Sequence, residues 1–231
     1  MTQQATKTQI VILLDRSGSM ASIADDVVGG YNTFLSQQKA DGNDATITLV
    51  QFDSADPQEI VYENLPIGDV PNLTDEMFIP RGGTPLLDAT GKLIARIREQ
   101  RAADTRPTNE QPDVLFVTIT DGHENASREL ELPTVRQLVA ACEGQGWTFV
   151  FLSAAFDAYG DARGLGFSEG KSRAFRASAK GAGDLFAALS LNTTNMRDKK
   201  RRGVYKNEDD FFDENEVDRI LGDDDSTDRN R

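Results

Sequence analysis

The chain has one cysteine, one histidine, one tryptophan and no long apolar run. Cys142 has no partner for an intrachain disulfide, which favours a reducing compartment, and its VAACEGQ context reads as the buried end of a helix. His123 alone cannot complete a zinc set, and no Ser-His or Cys-His couple suggests nucleophilic catalysis. The apolar run at residues 10–14 is too short for a signal core or a membrane span, and residues 1–9 lack a basic start, so the expected location is the cytoplasm. Positive charge is in the minority: 25 Lys plus Arg face 38 Asp plus Glu, for a net charge of -13. Such a field repels phosphate backbones and anionic lipid, so neither nucleic acid nor membrane is an expected partner.

What remains is enough for one ordinary domain. The 231 residues, 38% hydrophobic and 27% charged, suit a single core with a polar extension. Short apolar runs at residues 9–15, 46–53, 114–120 and 148–153 read as parallel strands buried on both faces. Between them, apolar residues at helical spacing predict helices over 23–39, 86–101 and 132–143, with another around 157–165. Residues 59–65 follow the second run after only a Pro-containing turn, too closely for a crossover helix, which predicts an antiparallel edge strand. A last strand over 173–177 and a helix over 183–196 complete a doubly wound, mostly parallel α/β sheet with one antiparallel edge strand.

From Asp198 the composition changes, so the expected division is a domain over residues 1–198 and a basic, then acidic, mobile extension over 199–231. The cluster Lys199, Lys200, Arg201 and Arg202 reads as a solvated hinge. Phe211, Phe212, Val217, Ile220 and Leu221 could form a short amphipathic helix, against the plainer reading of a solvated tail.

The chemistry gathers at the expected carboxyl edge of the sheet. Asp15-Arg16-Ser17-Gly18-Ser19 puts one carboxylate and two hydroxyls on a tight turn after the first strand, with Gly18 allowing close approach. Three oxygen donors on one turn suit a hard cation, although the same residues also make ordinary helix caps. Two further segments share that edge: Gly83-Thr84-Pro85-Leu86 before the second helix, and Thr120-Asp121-Gly122 closing a strand. Asp88 is expected to cap or start that second helix. Gly91-Lys92 does not extend to a phosphate loop, because Leu86 and Leu93 occupy positions where that motif needs Gly and Ser or Thr.

Taken together, these three segments resemble the metal-ion-dependent adhesion site of the von Willebrand factor A family, over roughly residues 9–196. The resemblance implies that Asp15, Ser17, Ser19 and Thr84 surround a divalent metal, and that Asp121 acts directly or through water. Mg2+ is expected on ligand type and availability, with Mn2+ or Ca2+ as alternatives. It also implies an open coordination position for a partner's Asp or Glu, and hence a recognition module, not an enzyme. Relatives without a signal segment include stress-operon components and adaptors beside AAA+ ATPases. The chain's own acidic residues between Glu208 and Asp228 are a second source of that carboxylate, in cis or in trans. Two other readings stay open: a metal-dependent phosphohydrolase, for which Ser17 stands where a second carboxylate would be needed, and an assembly protein with a structural metal.

Overall fold

A computed structural model describes residues 7–154, 158–167, 169–175, 178–205 and 210–212. Its centre is β1 (Thr8–Asp15), whose Ile, Val and Leu side chains are buried on both faces of the sheet. β1 lies parallel to β2 (Ala45–Phe52) on one side and to β4 (Asp113–Thr120) on the other. β5 (Thr148–Ser153) and the short β6 (Ser172–Ala174) extend the parallel sheet beyond β4. β3 (Glu59–Pro66) pairs antiparallel with β2 at the opposite edge, as its short connection predicts, giving the order β3-β2-β1-β4-β5-β6. A register shift between Ile47 and Val50 accompanies Asn64 at φ 48°, where the Asn64 N–H donates to Thr48 Oγ1 at 2.9 Å.

Alternation along β1 divides the core in two. Ile10, Ile12 and Leu14 face α1 (Ala24–Asp41) and α5 (Ala179–Arg201). Val11 and Leu13 face α2 (Leu86–Ala103), α3 (Leu132–Glu143) and α4 (Ala158–Leu165). α1 and α5 pack so closely that a methyl group on Gly30 would lie 2.2 Å from Phe186 Cδ2. On the other face Trp147 and Phe149 are stacked, and Cys142 is buried near the end of α3, structural as the sequence indicates.

The carboxyl end of the chain differs from expectation. α5 begins at Ala179, where Ser178 Oγ accepts the Gly181 N–H at 3.2 Å, and continues through Asp198 to Arg201. The basic cluster extends the helix because acidic groups receive it: Lys200 pairs with Asp113 at 3.0 Å, and Arg201 with Asp41 and Asp44 at 2.7 and 2.8 Å. Composition signals a change at 198; the helix carries on across it. Phe211 and Phe212 then return to the core beside α5, both backbone N–H groups donating to Gly170 O at 3.1 Å. The Arg173 guanidinium sits 5.4 Å from the Phe212 ring centroid. Val217, Ile220, Leu221 and the rest of 213–231 lie outside the described residues, as do residues 176–177 of the expected last strand. No helix among the described residues is long and apolar enough to cross a membrane.

Candidate metal centre

In a doubly wound sheet, loops diverge where the strand order reverses, leaving a crevice at the carboxyl ends. Here that point lies between β1 and β4, from which the chain leaves toward opposite faces. Asp15 closes β1 and is 0% exposed. Its Oδ1 accepts the Ser17 N–H at 2.7 Å and its Oδ2 accepts the Thr120 hydroxyl at 2.6 Å. Ser17 Oγ lies 3.1 Å from Ser19 Oγ, and Ser19 Oγ donates to Asp121 Oδ1 at 2.6 Å. Four of the five residues singled out from the sequence therefore form one connected set.

The fifth arrives on another loop. Arg81 N–H donates to Arg16 O at 2.8 Å and Gly18 N–H to Gly82 O at 3.0 Å, which lays the segment before α2 against the β1 turn. Thr84, 1% exposed, then points its hydroxyl at the same spot: a methyl group added to Gly122 would lie 3.3 Å from Thr84 Oγ1 and 3.6 Å from Ser19 Oγ. The structure thus brings together Asp15, Ser17, Ser19, Thr84 and Asp121. Ser19 lies at the exposed end and Asp121 is partly exposed, so the site opens outward there.

Burial pushes the Asp15 carboxyl up to about 6, and burial also raises Asp121. Neither carboxylate takes part in an ion pair among the described residues. The nearest cation in sequence, Arg16, turns away: its buried guanidinium donates to Asp53 Oδ2 and Gln51 Oε1, each at 3.0 Å, and to Glu59. Burial opposes ionisation of Asp53, but the backbone N–H groups of Asp56 and Ala55, together with Arg81 and Arg16, outweigh it and hold that carboxyl below the ordinary range. Asp53 and Glu59 are thus neutralised by Arg16 and Arg81, whereas Asp15 and Asp121 have hydroxyls and backbone N–H groups as partners.

The donors are two carboxylates and three hydroxyls, with no nitrogen or sulfur, and this set fits a hard divalent cation. No group of three or more His, Cys, Asp or Glu placed to hold a metal ion occurs among the described residues, so any metal held here would lean on the hydroxyls. His123 is an exposed loop residue beside the site.

No family model and no curated protein matches the sequence. Solved structures do match in shape. The pilus adhesin SpaC from Lactobacillus rhamnosus GG superposes at TM-score 0.63 with 15% identity, over 83% of this chain and 31% of that one. A von Willebrand factor type A protein from Catenulispora acidiphila gives 0.55 and 15%, over 83% and 43%. The fold is that of a von Willebrand factor A domain. The chain spans less than half the length of those two proteins. The manganese-loaded TRAP protein of Plasmodium vivax shares the VWA fold at TM-score 0.52 and 11% identity, over 80% of this chain and 73% of that one.

Within the VWA fold, the supporting residues have roles that the sequence leaves open. Asp88 does not cap its own helix, which starts at Leu86; its carboxylate instead accepts the N–H groups of Arg128, Glu129 and Leu130 at 2.8 to 3.0 Å. Arg16, Thr120, Glu124 and Asn125 each fix a ligand-bearing segment through partners far away in sequence. Only the position of Arg16 inside the motif, where an always-charged side chain follows a buried strand, signals its role.

Proposed function

We propose that the domain binds a divalent cation, Mg2+ by ligand type, and uses it to recognise an Asp or Glu carboxylate of a protein partner. The observation that supports this reading is the convergence of two unpaired carboxylates with three hydroxyls from three separate loops. Asp15 provides buried negative charge, Ser17, Ser19 and Thr84 provide neutral oxygens, and Asp121 stands at the partly exposed side. When bound, the cation supplies a Lewis-acid contact for an external carboxylate, because hydroxyl ligands leave much of its charge unneutralised. The non-enzymatic reading is supported by the depth of Asp15, poorly placed as a nucleophile, and by Ser17 where a phosphohydrolase would need its acid/base. An adhesin and a manganese-loaded protein among the neighbours in shape are in keeping with it. A cytoplasmic setting remains part of the proposal.

Thr84→Ala is the variant that separates recognition from a structural metal. Removing one hydroxyl ligand should abolish Mg2+-dependent partner capture while shifting the unfolding midpoint of the metal-free protein by no more than a few degrees. Capture retained in EDTA, or equal in wild type and variant, would contradict the proposal. The chain's own acidic segment is tested by truncation. Because Phe211 and Phe212 belong to the core, the cut is placed after Phe212. If the segment fills the open position, its removal should raise the affinity for an external carboxylate peptide in the presence of Mg2+. Unchanged affinity would assign the position to a separate protein.

A further inference from the structure

The first N–H groups of a helix have no partner inside it and need acceptors from elsewhere. α2 begins at Leu86 behind Pro85, which offers no side-chain cap. Its acceptors come from the loop after β4: Leu87 N–H donates to Glu124 Oε2 at 2.9 Å, and Asp88 N–H to Ser127 Oγ at 3.1 Å. Glu124 is itself fixed, since its Oε1 accepts the Ala126 and Ser127 N–H groups at 2.9 and 2.7 Å. Just before the helix, Asn125 holds Thr84 from both sides. Thr84 N–H donates to Asn125 Oδ1 at 2.8 Å, and Asn125 N–H donates to Thr84 O at 3.1 Å. Gly83 makes this approach possible, because a methyl group there would lie 2.7 Å from Asn125 Oδ1.

The clamp matters because Thr84 is the outlying member of the site. Asp15 and Asp121 stand at the ends of paired strands β1 and β4, and Ser17 and Ser19 follow directly from β1. Thr84 has no strand behind it. Its hydroxyl is placed by the backbone on either side, where Ser54 Oγ accepts the Gly83 N–H at 2.9 Å and the Asn125 amide oxygen accepts the N–H of Thr84 itself. Asn125 is exposed, so its bond to Thr84 is not a by-product of core packing.

We infer that Asn125 is a positioning residue for the metal site, setting the Thr84 hydroxyl against the other four ligands through its side-chain oxygen. The inference rests on the metal-binding reading above and names the residue that tunes its affinity. Asn125→Asp keeps the acceptor, whereas Asn125→Ala removes it. The test compares both with wild type by Mn2+ titration, by hydrogen exchange of the Thr84 amide in metal-free protein, and by thermal unfolding.

Asn125→Ala should bind Mn2+ about 10- to 100-fold more weakly, the range usual for loss of a group that orients a metal ligand. Its Thr84 amide should exchange faster, with the metal-free unfolding midpoint close to wild type. Asn125→Asp should keep the slow Thr84 exchange and the wild-type midpoint, and bind Mn2+ at least as tightly as wild type, because it retains the acceptor and adds negative charge beside the cation. Wild-type Mn2+ affinity in Asn125→Ala would overturn the inference. So would equal weakness of both variants, or an affinity loss matched by global destabilisation. If wild type itself takes up no Mn2+, the metal reading fails first; faster Thr84 exchange in Asn125→Ala alone would still show the clamp, and unchanged exchange would remove that too.

Discussion

Arg197→Met should be the most destabilising single substitution considered for this domain, costing about 3–5 kcal/mol. The Arg197 side chain is 0% exposed. Its Nη1 donates to Gln38 O at 2.8 Å, and its Nη2 to Gly42 O at 2.9 Å and to Asp44 Oδ1 at 2.7 Å. One guanidinium therefore satisfies carbonyls at the end of α1, neutralises a buried carboxylate and ties α5 to the start of β2. Met fills comparable volume but removes the donor to the Gln38 and Gly42 carbonyls and leaves the buried Asp44 carboxylate with Arg201 alone. In a domain of this size the loss should lower the thermal midpoint by about 10 °C or more.

The same cluster predicts a pH dependence. Hydrogen bonds from Arg201, and then from Arg197, hold the Asp44 carboxyl well below the usual carboxylate range. A carboxyl lowered in the folded state adds stability that is complete above its unfolded value of about 4 and is lost as the pH falls through the folded value. Asp44→Asn should therefore cost most near neutrality, with the gap to wild type narrowing below about pH 4. A gap that stays constant from neutrality to about pH 3 would show that Asp44 acts by shape and not by charge.

Asp15→Asn should do the reverse in the metal-free protein: it should stabilise. The wild-type carboxyl is raised to about 6 by burial, so above that pH folding must bury a charge that the site disfavours. Its destabilising effect is complete above the folded value and absent below the unfolded one. Asparagine removes the charge and keeps a hydrogen-bonded network, since Thr120 Oγ1 has a second acceptor in Gly122 O at 3.1 Å. Near pH 7 the variant should gain about 1–3 kcal/mol over metal-free wild type, and near pH 4 close to nothing.

The fold was largely legible because parallel strands buried on both faces leave continuous apolar runs; β1, β2, β4 and β5 stand within a residue or two of their expected bounds. The edge strand followed from the length of its connection. α5 was harder, since Lys200 and Arg201 read as tail composition until Asp41, Asp44 and Asp113 are brought opposite them by the sheet. At the site, the five candidate ligands sit in short motifs with Gly and hydroxyl residues at recognisable spacing. The residues that orient them do not: Asn125 meets Thr84, and Thr120 meets Asp15, across separations that no local pattern encodes.

The most direct test of the central claim is a calorimetric Mn2+ titration of metal-free wild type beside Asp15→Asn, with both shown to be folded. The account predicts one saturable site in wild type, competed by Mg2+, and no measurable binding in the variant. Uptake of Mn2+ that is indifferent to Asp15, or no uptake by wild type, would contradict it.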